Sequence, residues 1–311
     1  MCKFKSSVVI GLALILCISL SREAFSGDVS QMSKLNSHIE QGKGMDAWLK
    51  IASRGGRYEV PSATQVAQAE GLFYRSFEHI DDQLSRQWSG LGFEVVALED
   101  AGELIYVIRE IQGALLGRGF YLFRPHASSN TVLQAPHSFK DLGTREIVLK
   151  LMHSGRFKAA AFNSVPRHYW AQGEKVDADL AHLKQSYFLA FSRAYSRAFK
   201  QGTLIQVHGF AQHKRRTQRG AISDMIISSG RRVVTPTVTR IAACLNYSRL
   251  GNLSIYPNDT PELGGTTNSS SLALAASGHQ GFVHLELSKP LRRKLQRRQH
   301  DVYVMAECLG R

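Results

Sequence analysis

Histidine and acidic side chains lie next to apolar segments that predict buried β-strands. In TVLQAPHSFKD (131–141), the apolar segment ends at His137, and Asp141 follows that histidine by four residues. His208 lies near the end of a second such segment, GTLIQVHGF (202–210). A catalytic zinc ion takes three protein ligands from His, Asp and Glu and leaves one position for water. His137, Asp141 and His208 would supply that set of ligands.

Three more polar residues supply what a hydrolytic zinc site needs besides its ligands. Glu286 lies inside the apolar segment GFVHLELS (281–288), where an uncompensated carboxylate is costly. A metal ion or its water would compensate that charge, so Glu286 is the candidate base. Asn163 and Arg167 lie at and after the end of the segment FKAAAFNS (157–164) and are the candidate substrate-binding pair. The cation of Arg167 would also stabilise a developing oxyanion.

Each of these residues also has an ordinary structural interpretation. His137 and His208 could be hydrogen-bonded histidines of a loop and of the core, and Asp141 could cap a helix. Glu286 could form an ion pair with a basic helix. His284 shares the strand face of Glu286 and could be a ligand or the partner of a ligand.

The elements that must position these groups alternate between strand and helix after an initial run of strands. Strand patterns occur at 93–98, 104–110, 119–124, 131–136, 157–164, 202–210, 221–230 and 281–288. Helix patterns occur at 62–89, 144–153, 179–200, 238–247 and 289–299. We therefore expect an α/β fold, a mixed central β-sheet flanked by helices, whose first strands are antiparallel. Sites in such sheets lie just beyond the strand ends.

The first part of the chain has the layout of a secretory signal, with two lysines, an apolar run and then small residues. Cleavage is expected after Ser26, so residues 1–26 form the signal peptide. The apolar run is shorter than the ~20 residues of a membrane-spanning helix, and we expect no stable membrane span. We therefore expect an exported protein, periplasmic or secreted, in which a helical segment (27–92) packs on a catalytic domain (93–311).

Two cysteines remain after signal cleavage, Cys244 and Cys308. In an oxidising compartment such a pair suggests one disulfide, which would tie the end of the chain back to the body of the domain. The sequence leaves the geometry of this bond open.

The charge of the chain is strongly positive, with a formal net charge of +14. Removing residues 1–26 lowers it to +12, because that segment holds three basic residues and one acidic residue. A basic exported protein meets anionic partners such as cell-wall polymer or acidic peptides. The basic stretches HKRRTQR (213–219) and KPLRRKLQRRQ (289–299) contain no aromatic residues for base stacking, so specific nucleic-acid binding is not expected.

The order of the candidate site residues resembles the zinc carboxypeptidase-like hydrolases. Within that group, PHSFKD, FNSVPRH, IQVHGF and FVHLELS are most similar to the phage poly-γ-glutamate hydrolases and the N-formylglutamate amidohydrolases. The resemblance covers roughly residues 93–298 and rests on short motifs. It implies a mixed sheet flanked by helices, one catalytic zinc ion, and hydrolysis of an amide next to a carboxylate.

Carried over to this sequence, the resemblance makes His137, the acidic residue after it and His208 the metal ligands. Glu286 becomes the general base and then the general acid. Arg167 holds the substrate carboxylate or the oxyanion.

The roles of two acidic positions stay open in the sequence. The carboxypeptidases have a glutamate three residues after the first histidine, where this chain has Lys140. Asp141 comes one residue later and is one methylene shorter, and Glu146 is the alternative ligand. Asp179 could orient a ligand histidine or cap the helix predicted at 179–200, and the cap is the favoured interpretation.

These observations predict an exported zinc-dependent amidohydrolase or peptidase. Its substrate would be a peptide-like amide that carries a carboxylate, such as a γ-glutamyl linkage, an N-acyl amino acid or a wall peptide. The alternative is a non-catalytic basic periplasmic protein that binds anionic polymer. Such a protein would show salt-sensitive binding and no dependence on metal.

Overall fold

The middle strands of the central sheet are those that end in the candidate site residues. The computed structural model describes residues 44–54, 57–100, 102–171 and 173–310, so the predicted signal at 1–26 lies outside the described residues. The strands are β1 (Phe93–Asp100), β2 (Glu103–Glu110), β3 (Phe120–Phe123), β4 (Val132–Ala135), β5 (Ala159–Phe162), β6 (His168–Ala171), β7 (Glu174–Asp177), β8 (Leu204–Phe210), β9 (Met225–Ser228), β10 (Leu253–Ile255) and β11 (Phe282–Ser288). The α-helices are α1 (Met45–Ala52), α2 (Ala63–Glu78), α3 (Asp82–Ser89), α4 (Thr144–Met152), α5 (Tyr187–Ala198), α6 (Gln218–Ile222), α7 (Pro236–Ser248), α8 (Ser269–Ala276), α9 (Lys289–Arg297) and α10 (Gln299–Leu309).

Nine strands form one mixed sheet, in the order β1-β2-β3-β5-β4-β8-β11-β9-β10, and β6 and β7 form a separate hairpin. β1, β2, β3 and β5 pair antiparallel in that order. β5, β4, β8 and β11 are parallel neighbours. The predicted α/β fold with a mixed central sheet is confirmed. The antiparallel start is shorter than predicted, because β4 lies between two parallel partners instead of extending the meander.

Helices cover both faces of this sheet, each face over its own apolar cluster. Strand side chains alternate between the two, so Ile205 and Val207 of β8 face one cluster and Leu204 faces the other. The first cluster is covered by α1, α4, α7, α9 and α10, and the second by α2, α3, α5 and α8. The second is rich in rings, with the centroid of Phe73 4.6 Å from that of Tyr121. Burial on both faces explains the nearly continuous apolar runs of the central strands.

The single helix predicted at 62–89 is two helices, α2 and α3. Ser62 caps α2 in a capping box with Gln65. The side chain of Asp81 accepts the N–H of Leu84 and starts α3 after a break at 79–81. The apolar spacing continues across that break, so the periodicity alone gives no sign of it.

Two other predicted elements need correction. The helix predicted at 179–200 begins at Tyr187, where Ser186 accepts the N–H of Leu189 as its cap. Asp179 therefore does not cap this helix, and the favoured interpretation of that residue was wrong. The strand predicted at 221–230 is preceded by α6 and is limited to β9, because Thr217 caps a short helical turn there.

The predicted disulfide between Cys244 and Cys308 is present, with a Cα–Cα distance of 5.4 Å. It joins α7 to α10 and so ties the last helix to the body of the domain. In the part of the chain that the structure describes, no helix is both long and apolar enough to cross a lipid bilayer.

Candidate functional site

The carboxyl ends of four parallel strands meet at one edge of the sheet, and the candidate site residues gather there. His137 follows β4, His208 lies near the end of β8, and Glu286 near the end of β11. In the register of β8 and β11, Glu286 lies directly opposite His208. A cavity of about 610 Å³ opens at this edge, and both residues line it together with His137, Asp141 and Arg167. This is the place where α/β sheets bind ligands.

A single helical turn after β4 brings Asp141 to the first histidine. The N–H of Asp141 donates to the carbonyl of His137 at 2.9 Å, and side chains four residues apart in such a turn share a face. Lys140, at the position of the carboxypeptidase glutamate, is exposed. Asn163 supports the turn, because its Oδ1 accepts the N–H of Ser138 at 2.8 Å.

The alternative acidic ligand, Glu146, lies elsewhere. It occupies the first turn of α4, where its Oε1 is 3.2 Å from the guanidinium of Arg145. Two groups of His, Asp and Glu side chains among the described residues could hold a metal ion, and Glu146 belongs to neither of them. The geometry therefore favours Asp141.

Three potential ligand atoms form a compact triangle. The Nδ1 atoms of His137 and His208 are 3.2 Å apart, and they lie 3.4 Å and 3.6 Å from Oδ2 of Asp141. Ligands of a tetrahedral zinc ion at about 2.0–2.1 Å are themselves about 3.4 Å apart. Charge-assisted hydrogen bonds are shorter, about 2.7–2.9 Å. The spacing thus fits three ligands around one small cation better than hydrogen bonds among the three residues.

The other ring nitrogen of His137 is held by a carboxylate. Its Nε2 lies 2.8 Å from Oδ1 of Asp179, whose second oxygen forms an ion pair with Arg167. Burial lowers the pKa of His137, but the nearby carboxylates of Asp141 and Asp179 outweigh it and raise the pKa above 6.5. Histidine ligands of metals commonly have such a carboxylate at the far nitrogen, which fixes the ring and its tautomer.

His208 is held differently, by an amide. Its Nε2 is 3.2 Å from Oε1 of Gln206, the residue two positions earlier on the same strand face. Complete burial, with a contribution from the nearby His284, lowers the pKa of His208 to about 4. The ring is therefore neutral at physiological pH, as a metal ligand must be.

The donor set fits a zinc ion. With Nε2–H of each ring given to an oxygen, both Nδ1 atoms and the Asp141 carboxylate present lone pairs to the same point. A single proton shared among these three atoms would satisfy only one pair of them, whereas one divalent cation would bind all three. Two imidazoles and one carboxylate are also a usual ligand set of catalytic zinc.

Glu286 and His284 form a buried pair at the floor of the cavity. Nε2 of His284 lies 3.3 Å from Oε1 of Glu286, and the ring of His284 is 4.2 Å from that of His208 between centroids. No described residue donates a hydrogen bond to Oε2 of Glu286, although this atom is buried. A buried carboxylate oxygen of this kind is costly unless a ligand or water completes it, so Oε2 is available to a molecule in the cavity. A second group that could hold a metal ion consists of His208, His284 and Glu286. A metal ion bound there would use the carboxylate of Glu286, which a metal ion bound by His137, Asp141 and His208 would leave free.

Basic side chains surround the entrance of the cavity. The cavity lining includes Lys140, Arg167, Lys214, Arg215 and Lys289. Arg292 also lines it but serves the fold, since its guanidinium donates to the carbonyls of Leu142 and Phe210. The rim therefore carries a surplus of positive charge over a floor with two carboxylates, an arrangement that attracts anionic molecules.

The structure separates the two predicted substrate-binding residues. Arg167 lies on the cavity wall with a partly exposed side chain. Asn163 is fully buried, and its amide is occupied by the backbone groups of Ser138 and Val165. The substrate-binding role of Asn163 stays a prediction, and its contacts favour a supporting role.

Sequence reasoning missed two residues of this region, Gln206 and Asn268. Gln206 could have been found from its position two residues before His208, because a strand period of two places both on one face. Asn268 lies in the loop before α8, and nothing in the local sequence connects it with a histidine 60 residues earlier.

Comparison with models of protein families finds no match to this chain, and neither does comparison with curated proteins. Among solved structures, similarity is found to an N-formylglutamate amidohydrolase from Ralstonia eutropha JMP134, with a TM-score of 0.44 and 10% identity over 62% of this chain and 97% of that one. A bacteriophage poly-γ-glutamate hydrolase matches with a TM-score of 0.34 and 11% identity over 58% of this chain and 81% of the other. Both are kinds of hydrolase that the sequence motifs resemble. With TM-scores below 0.5, these similarities carry no argument about the function of this chain.

Proposed function

We propose that this protein is an exported zinc-dependent amidohydrolase or peptidase that cleaves an amide next to a carboxylate. The observation that supports it is the triangle of ligand atoms from His137, His208 and Asp141, with an unpartnered oxygen of Glu286 in the same cavity. Ligands with an open side and a nearby free carboxylate are what metal-assisted hydrolysis requires.

In this proposal His137, Asp141 and His208 hold the zinc ion. When bound, zinc polarises a substrate carbonyl and lowers the pKa of water at its open position. Asp179 keeps the ring of His137 in place through Nε2, and Gln206 does the same for His208.

Glu286 moves the proton. Its Oε1 faces Nε2 of His284, so Oε2 is the oxygen that accepts a proton from the attacking water. The same carboxyl group then gives this proton to the leaving amine.

Arg167 is the residue that would bind the negative charge of the substrate. Its guanidinium is anchored by Asp179 on one side and lines the cavity on the other. It would bind the substrate carboxylate or stabilise the oxyanion of the tetrahedral intermediate. The basic rim would concentrate anionic substrates at the entrance, and γ-glutamyl linkages, N-acyl amino acids and wall peptides all carry the required carboxylate.

Export is supported by the Cys244–Cys308 disulfide, because such bonds persist in oxidising compartments. Together with the signal-like pattern of residues 1–26, it suggests a periplasmic or secreted enzyme.

The test combines metal content with activity. Elemental analysis of the purified protein should find about one zinc ion per chain, which the double variant His137→Ala, His208→Ala should lose. A panel of γ-glutamyl peptides, N-acyl amino acids and wall peptides should then contain a hydrolysed substrate. A wild-type protein that stays metal-free after zinc is offered would contradict the proposal.

A second candidate function, binding of anionic polymer without catalysis, is favoured by a different observation. α9 and the residue after it expose Arg293, Arg297 and Arg298 away from the cavity. Such a binder would retain polymer in a salt-sensitive way in the Glu286→Gln variant and without zinc. An enzyme would instead lose substrate turnover in both conditions.

A further inference from the structure

We propose that Gln206 and Asn268 are positioning residues that select the tautomer of His208 and so aim its Nδ1 lone pair at the metal position. This inference rests on the proposed zinc site. It concerns a chain of buried hydrogen bonds whose direction can be followed from the backbone to the ring.

The chain begins at the start of α8. Asn268 is the N-cap of this helix, and its Oδ1 accepts the N–H groups of Ser270 at 3.0 Å and of Ser271 at 3.2 Å. Backbone N–H groups only donate, so the atom that faces them must be the amide oxygen. The other end of the Asn268 side chain is therefore its NH2 group.

The orientation of the Asn268 amide in turn fixes the orientation of the Gln206 amide. Nδ2 of Asn268 donates to Oε1 of Gln206 at 2.6 Å. The other end of Gln206 donates through Nε2 to Oε1 of Gln134 at 2.7 Å, and Gln134 donates in turn to Ser192. Gln206, Gln134 and Ser192 are completely buried, so no bulk water offers these groups a different partner. Gln206 consequently presents its oxygen, not its NH2 group, toward His208.

The last step reaches the ring. Nε2 of His208 lies 3.2 Å from that same oxygen of Gln206. A ring nitrogen and a carbonyl oxygen attract only when the nitrogen carries a proton. A neutral imidazole has one N–H, so a proton on Nε2 leaves Nδ1 with its lone pair. Nδ1 is the atom that faces His137 and Asp141.

The two ligand histidines are thus oriented by unlike groups. His137 has a carboxylate, Asp179, at its far nitrogen, and His208 has an amide, Gln206. The amide fixes the tautomer without adding a negative charge to a region that already holds Asp141 and Glu286. Asn268, the cap of α8, therefore determines through Gln206 which nitrogen of His208 keeps its lone pair.

The first experiment compares zinc dissociation constants, measured by competition with a chromophoric chelator at one pH. Gln206→Leu removes the acceptor, and we expect zinc to bind about 10–100-fold more weakly. Gln206→Glu keeps an acceptor at the same position and should bind zinc more tightly than Gln206→Leu. The matched control is Ser76→Ala, which removes buried hydrogen bonds with Leu72 and Trp88 that do not belong to this chain. It should lower stability and leave zinc affinity unchanged.

The second experiment reads the tautomer directly. In the metal-free wild-type protein, the ¹⁵N shifts of the His208 ring should show the proton on Nε2. A proton on Nδ1 in the wild type would overturn the inference, whether or not Gln206→Leu folds. Equal zinc affinity of wild type and Gln206→Leu would overturn it as well. A wild type that binds no zinc would end the proposed function instead, and the ¹⁵N spectrum would still decide on the tautomer.

Discussion

Glu286 and His208 lie directly opposite each other on two parallel strands, β11 and β8. This register places the candidate base beside a candidate metal ligand on one face of the sheet. The neighbours Leu285 and Leu287 face the opposite side and belong to the apolar core. A shift of one residue would turn Glu286 into that core and remove it from the cavity, so the register and the candidate chemistry depend on each other.

The first prediction concerns Glu286→Gln. The amide cannot accept the proton of the attacking water, so kcat should fall by about 10²–10⁴-fold while zinc content stays unchanged. Steady-state kinetics and elemental analysis on the same preparation would check both parts. The matched control is Glu146→Gln, which changes an acidic residue outside the triangle and should retain activity. Full activity in Glu286→Gln would exclude it as the base.

The second prediction concerns Asp179, which contacts both His137 and Arg167. Asp179→Asn should weaken zinc binding by about 10–100-fold, because the ring of His137 loses its carboxylate partner. Chelator competition measures this change. Asp82→Asn, an exposed carboxylate of α3, serves as control and should bind zinc like the wild type. An unchanged zinc affinity in Asp179→Asn would show that the carboxylate does not support the ligand.

The third prediction concerns the basic rim. Lys140→Gln combined with Lys214→Gln should raise KM, leave kcat nearly unchanged, and weaken the dependence of kcat/KM on salt. Both lysines are exposed and line the cavity, and neither belongs to the ligand triangle. The control pair, Lys175→Gln with Lys200→Gln, removes the same charge from exposed sites outside the cavity lining. Equal effects of both pairs would mean that only net charge matters.

The fourth prediction is a pH dependence of stability due to Glu110. Its carboxylate is 3% exposed and accepts the N–H groups of Leu116, Gly117 and Arg118. Desolvation raises its pKa to about 7, from an ordinary value of 4.5, despite these hydrogen bonds. Below pH 4.5 both folded and unfolded chains are protonated. As pH rises toward 7, the unfolded chain loses the proton first, so this contribution to stability is lost.

The size of this loss is on the order of 3 kcal/mol in the free energy of unfolding, complete above pH 7. Urea unfolding between pH 5 and pH 8 would measure it in the wild type and in Glu110→Gln. The variant lacks the titrating group and should have a flatter profile over this range. Parallel profiles of the two proteins would contradict the raised pKa.

The fifth prediction concerns the disulfide, whose cysteines are 64 residues apart in the sequence. Replacing both Cys244 and Cys308 by serine should lower the free energy of unfolding by about 4 kcal/mol in the chain-entropy model. Zinc affinity should stay the same, because no residue of α7 or α10 lines the cavity with the candidate ligands. Reductant should destabilise the wild type and leave the serine variant unaffected.

Local patterns in the sequence were sufficient for much of the fold and for part of the site. Strand segments with apolar residues on both faces indicated a sheet covered by helices, and their polar ends pointed to His137, His208 and Glu286. The same patterns failed at the break between α2 and α3 and at the start of α5. In both places a side-chain cap, from Asp81 and from Ser186, ends one local structure and begins another without disturbing the apolar period.

By itself, the sequence determined which residues face the core, which carry reactive side chains and which cysteines were available to pair. Only the tertiary structure decided that β5, β4, β8 and β11 are neighbours, that Asp141 and not Glu146 meets the histidines, and that Asn268 connects with His208 through Gln206. The physical reason is that side-chain periodicity reports the face of a strand but not its neighbour. Strand order, and the buried hydrogen bonds that depend on it, come from contacts between segments far apart in the chain.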